Sequence, residues 1–142
     1  QRQMCIRDSN QPGMVPIQTL DNLIYFPDMM PTLAALAKGT KHLPKQINGI
    51  NILPLFYGKQ VDTDNRLLYW EFPGKQRAAR KGDWKCVTIH PNQPLELYNL
   101  KEDPEETNNL AKKYPRRVKE FDEEMQRMHI PTPNWPQPGE QF

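Results

Sequence analysis

The chain has 142 residues, 19 basic and 17 acidic, and a formal charge of +2, which is too small to imply a nucleic-acid partner from net charge alone. Fifteen prolines, 37% hydrophobic residues and a mean hydropathy of −0.84 predict one domain of ordinary size with a small core and long connections, or a piece that completes its core against other sequence. No run approaches the roughly 18 apolar residues of a membrane span, so no membrane is implied.

Gln1–Ser9 has no clear period and no apolar stretch of a signal peptide. It is expected to be non-native or disordered, with Cys5 inside it and no disulfide to Cys86. Residues 11–22 read as loop, punctuated by Pro12-Gly13 and Pro16. After the short apolar run Leu23–Phe26, the stretch Asp28–Lys38 predicts a helix. Asp28 is placed to cap its first turn, Pro31 is tolerated there, and Gly39 is suited to the left-handed stop. Residues 40–65 are mostly loop, but Ile50–Gly58 is too apolar to be solvated and should pack as a helical turn or an extended plug.

From Arg66 the pattern changes. Leu67–Phe72, Gln76–Lys81, Trp84–His90 and Leu95–Asn99 predict four strands with short connections, an antiparallel meander, with Gly82-Asp83 as a tight turn. Asp103-Pro104 ends the strand pattern. Pro115 opens a helix to His129 with Val118, Phe121, Met125 and Met128 on one face, a stripe suited to covering the sheet. The tail from Pro131 is too rich in proline for helix or ladder and should be extended or disordered. The predicted class is α+β, with residues 66–130 as an antiparallel-sheet subdomain, residues 10–65 ahead of it, and residues 131–142 as tail.

Five segments then resemble sulfatases, in that family's order. Asp28-Met29-Met30-Pro31-Thr32-Leu33 resembles the family's Asp-x-x-Pro-Thr-Leu helix start. Gly49–Leu55 followed by Gly58 is similar to its Asp-Gly-x-Ser-Leu-Leu-Pro-Leu-Leu-x-Gly segment, with Asn48 and Asn51 where Asp and Ser are usual. Tyr69-Trp70-Glu71-Phe72, Arg80-Lys81-Gly82-Asp83-Trp84-Lys85, and Glu96–Leu100 with Asp103-Pro104-Glu105-Glu106 and Asn109-Leu110-Ala111 complete the set. The resemblance implies that residues 10–65 are the end of the large α/β domain plus a linker, and that the apolar surface of roughly residues 10–60, lacking the parallel sheet it would cover, favours poor order or self-association. It implies a parent enzyme that hydrolyses sulfate esters with a formylglycine nucleophile beside Ca²⁺, usually in periplasmic, secreted or otherwise exported proteins. The partner it implies is the missing N-terminal part of the same chain. In the intact enzyme the substrate would be a sulfated small molecule or glycan.

None of that catalytic set maps onto this chain. Neither Cys5 nor Ser9 opens a Cys/Ser-x-Pro-x-Arg motif, and no Asp-Asp pair occurs. Asp62-Thr63-Asp64-Asn65 lacks the glycine and glutamate of a calcium loop, with Leu67 and Pro73 in those places. The chain is therefore expected to be inactive alone, with no catalytic or metal residue and no cofactor of its own. The basic residues around one hairpin, Lys75, Arg77, Arg80 and Lys85 with Lys81, are candidates for contact with sulfate or an acidic sugar. Otherwise they are strand-face charge paired with Glu71, Asp83 and Glu96. A free-standing anion- or carbohydrate-binding module using Lys75–Lys85 is the alternative function. Trp70 and Trp84 read as core, and His42, His90 and His129 as surface or turn. Lys112–Lys119 is the most basic stretch, but the acidic run after it argues against nucleic acid.

Overall fold

A computed structural model describes residues 20–72, 76–90, 93–133 and 139–141. The expectations for residues 1–9, Cys5, Lys75 and much of the proline-rich tail lie outside the described residues. The chain divides into two compact units, residues 1–63 and 64–142.

In the first unit, a 3-10 turn at Phe26–Asp28 leads into α1 (Met29–Leu36), and α2 (Leu53–Phe56) is a single turn. Helix α1 is shorter than predicted because Lys38, not Gly39, takes the left-handed conformation, with φ 58°. Gly39 N–H bonds to Ala34 O and Lys38 N–H to Ala35 O, which is a Schellman stop one residue earlier than expected. Asp28 does not cap α1 either. Its carboxylate is fully buried and accepts from Tyr25 N–H (2.9 Å) and Ile50 N–H (3.0 Å).

One turn later, the Thr32 hydroxyl donates to Asp28 O and accepts from Ile52 N–H at 3.0 Å. The match is geometric. Four helical residues rise ~6 Å, and two residues of extended chain span ~6.6 Å. Asp28 and Thr32 can therefore bind alternate amides of the 50–52 segment. Gly49 makes the approach possible: a Cβ there would lie 2.0 Å from Pro27 O. The segment then turns into α2, where Asn51 Oδ1 accepts Leu53 N–H, doing with an amide oxygen what a serine hydroxyl could do. The unit is closed by Thr63, whose buried hydroxyl accepts from Leu23 N–H and from Asn22 Nδ2.

The second unit is the predicted meander. Strands β1 (Leu68–Phe72), β2 (Gln76–Lys81), β3 (Trp84–Thr88) and β4 (Glu96–Asn99) form one antiparallel sheet in sequence order. Strand β3 stops at Thr88, short of the predicted His90, because its ladder ends there: Thr88 pairs with Arg77 and Val87 with Glu96. The Gly82-Asp83 connection joins the paired residues Lys81 and Trp84, with φ +55° at Gly82, the glycine-first pattern of a II′ hairpin.

Register aligns Tyr69, Ala79, Cys86 and Leu97 in one row across the sheet. Helix α3 (Pro115–Met128) seats Phe121 and Met125 in a common core with Ala79, Cys86 and Leu97, and Val118, Tyr69 and Trp84 pack around it. Met128, the last residue of the predicted stripe, is instead largely exposed.

The two side-chain clamps of the first unit can be separated by amide exchange. Asp28→Ala should speed exchange at Tyr25 and Ile50, and Thr32→Val at Ile52. Each variant should lower stability to urea by roughly 1–3 kcal/mol, the cost of leaving a buried donor unpaired. Equal acceleration at all three amides in both variants would show that the clamps do not act separately.

Candidate functional site

Alternation along the hairpin decides what the basic residues can do, because paired residues share a face and neighbours do not. Arg77 and Lys81 lie on the face that carries α3. The Arg77 guanidinium donates to Asp122 at 3.2 Å, and Lys81 Nζ to Glu124 at 3.2 Å. Arg80 and Lys85 are cross-strand partners and lie on the opposite face. Arg80 is half-buried and its Nε donates to Gly82 O; among the described residues its guanidinium makes no other hydrogen bond or ion pair. Lys85 Nζ is held by both carboxylate oxygens of Glu106 at 2.7 Å. Glu106 is itself in the left-handed region, at φ 57°.

The structure thus does not gather the predicted cluster. It splits the cluster between two faces, and Lys75 is outside the described residues. The ion partners are Asp122, Glu124 and Glu106 rather than the predicted Asp83 and Glu96, while Glu71 is the register partner of Arg77.

The tryptophans divide in the same way. Trp84 belongs to the α3 face, meets Tyr114 edge-on at 5.3 Å, and has the Arg117 guanidinium 4.3 Å over its ring. Trp70 is on the other face and 44% exposed, so the expectation of a core residue fails there. Asp103 anchors the loop after β4. It accepts from Thr107 N–H and Asn108 N–H, bonds that hold its carboxyl below the usual range, and Pro104 follows it directly. Tyr98 donates to Glu96, and burial chiefly pushes its phenol up to about 12.

His129, expected at the surface or in a turn, is instead half-buried at the end of a helix. It caps the C-terminus of α3, with Nδ1 2.9 Å from Glu71 Oε2 and Nε2 against Glu140. Glu71 Oε2 also accepts from the Tyr69 hydroxyl at 2.7 Å. No sequence signal could have exposed this link, because its members are separated by 58 and 11 positions. His42 and His90 are exposed, as expected.

The described residues do not fit a catalytic calcium and formylglycine set. Among them, no group of three His, Cys, Asp or Glu side chains is arranged to hold a metal ion. Cys86, the only described cysteine, is wholly buried, and burial pushes its thiol up to about 12. A thiol so placed is a packing group rather than a nucleophile.

Residues 9–130 match the family described as N-sulphoglucosamine sulphohydrolase, C-terminal. The chain belongs to this sulfatase C-terminal family. An uncharacterized protein of Haemophilus influenzae is 32% identical over 134 residues, covering 87% of this chain and 67% of its own length. Arylsulfatase K of Gallus gallus is 29% identical over 126 residues, covering 78% of this chain and 23% of its own. The solved structure of a 2-O GAG sulfatase superposes with TM-score 0.57 at 28% identity, over 70% of this chain and 24% of that one. The chain therefore spans about a quarter of the sulfatases it matches and corresponds to their small C-terminal part. The sulfatase resemblance, the α+β class and the four-stranded sheet with its C-terminal helix all stand.

Cys86 offers a direct check of the sealed sulfatase core. Labelling by a thiol reagent at pH 8 should be at least ~100-fold slower in the native chain than in urea, since only thiolate reacts. Equal rates would mean that α3 does not cover the sheet.

Proposed function

We propose that this chain serves as the C-terminal part of a sulfuric ester hydrolase, beside the bond-breaking centre rather than at it, and that it does not turn over sulfate esters unaided. Its partner would be the catalytic portion of a sulfatase chain, which would bring the formylglycine and Ca²⁺ that the residues here do not fit. The observation that carries this is the family match over residues 9–130, set against a chain that spans about a quarter of arylsulfatase K and of the GAG sulfatase. The chemistry agrees. Sulfate ester cleavage needs an activated nucleophile and charge stabilisation at the transferring group, and the described thiol is buried in apolar packing.

On the substrate side, Arg80 is the residue best placed to contribute. It lies on the face away from α3, and its terminal guanidinium nitrogens have no partner among the described residues, which leaves them open to a sulfate or uronate oxygen. Arg77 and Lys85 are already committed to Asp122 and Glu106. The substrate class supported is a sulfated sugar, through the family description and the named activity of the GAG sulfatase.

The chain alone, incubated with an aryl sulfate and with N-sulfated glucosamine in the presence of Ca²⁺, should release no sulfate above the buffer rate; sustained release would overturn the proposal. In binding to a sulfated oligosaccharide, Arg80→Ala should weaken affinity about tenfold, ~1.4 kcal/mol. Arg77→Ala should leave affinity unchanged and instead cost about 1 kcal/mol of stability. The reverse pattern would put the substrate contact on the wrong face.

A further inference from the structure

Lys112, Lys113, Arg116, Arg117 and Lys119 fall close together in the chain, and no acid stands among them. Acids are favoured in the first turn of a helix, yet the first turn of α3 holds none and carries two arginines instead. Helix stability does not account for that choice. Other cations around α3 are matched: Arg77 with Asp122, Lys81 with Glu124 and Lys119 with Glu123. Among the described residues, the side chains of Lys112, Lys113, Arg116 and Arg117 make no ion pair or hydrogen bond. The charged ends of two of them lie over aromatic rings, Lys113 over Tyr114 at 5.4 Å and Arg117 over Trp84 at 4.3 Å.

The same residues wall a cleft. Lys113, Tyr114, Arg116, Arg117 and Glu120 line a space of about 360 Å³, within the ~300–1,000 Å³ of sites for small ligands. A neighbouring cleft shares Arg117 and Glu120 and reaches Lys81 and Glu124. We propose that this cleft is a binding surface for a sulfated glycan, with Arg116, Arg117 and Lys113 taking its sulfate oxygens and Tyr114 and Glu120 its sugar ring.

Three chemistries meet there. Guanidinium and ammonium groups give charge-assisted bonds to sulfate oxygens. Tyr114, exposed and set at 75° to Trp84, is an apolar wall with a polar tip, suited to a ring whose C–H face and hydroxyls lie side by side. The Glu120 carboxylate, with no side-chain partner among the described residues, accepts hydroxyl protons. A sugar ring supplies such hydroxyls, whereas the DNA backbone offers phosphates that Glu120 repels. The choice of glycan rests on the sulfated-sugar reading above, but the residues are different ones: Arg80 lies on the face of the sheet away from α3.

A titration of the full chain with a chondroitin sulfate tetrasaccharide, followed by NMR, tests the surface. The Trp84 indole N–H and the amides of Tyr114, Arg116 and Arg117 report this cleft, and Arg80 Nε–H reports the other face. Saturable shifts are expected at the Trp84 indole and those amides. Arg116→Ala/Arg117→Ala should weaken the affinity read there at least ~tenfold, the loss expected for bonds to charged groups, and leave the Arg80 signal's response unchanged. Arg80→Ala should leave the affinity read at the cleft unchanged, so failure of the cleft and failure of the Arg80 reading are seen separately. Unsulfated hyaluronan and single-stranded DNA of equal charge should each bind the cleft at least ~tenfold more weakly. Cys86 should remain unreactive in every variant, which shows that the core is intact. No saturable shift at the Trp84 indole, an affinity there unmoved by Arg116→Ala/Arg117→Ala, or equal binding of hyaluronan or DNA would overturn the proposal.

Discussion

Ala79 and Cys86 lie side by side at the centre of the sheet, flanked by Tyr69 and Leu97, and it is their small size that lets Phe121 and Met125 of α3 settle onto it. Each is wholly buried, so the centre of the interface is close-packed and dry. The other features of this unit follow from that contact. It orients α3 so that Asp122 reaches Arg77, Glu124 reaches Lys81 and Arg117 stacks on Trp84, and it delivers His129 to Glu71 at the far end. These polar contacts are partly exposed and individually weak. They lock a helix whose position the apolar row has already chosen.

That arrangement also explains why a basic hairpin is not one binding surface. Once Gly82-Asp83 is a two-residue turn, Lys81 must face Trp84, and every other pair follows. Arg77 and Lys81 then share the α3 face, and Arg80 goes with Lys85 to the other. This much was legible in the sequence, since the turn fixes the register and the register fixes the faces. Clustering along the chain hid it. The strands, the covering helix and its Phe121–Met125 contact were readable because apolar periodicity and turn residues act locally. The loss of Met128 from the stripe was not, since it depends on where the sheet ends beneath the helix.

The first unit was harder to read for a different reason. Asp28 and Thr32 look like local helix residues, and a cap is the natural expectation for an aspartate before a helix. Besides their local bonds to Tyr25 and within the turn, each binds an amide about twenty positions away, and no period or propensity points to those partners. Gly49 admits these contacts, because a residue without a side chain is needed where the two stretches of backbone meet. His129 belongs to the same class: its two carboxylates come from a strand and from the tail beyond a proline-dense stretch.

Cys86 is the only cysteine in residues 64–142, and its sulfur is shut beneath α3 with no exposed surface. A sulfur so enclosed can neither pair with another thiol nor meet an oxidant without the helix lifting first. This half of the molecule would keep the same covalent structure whether its surroundings were reducing or oxidising, and its folding would need no help from thiol chemistry in either.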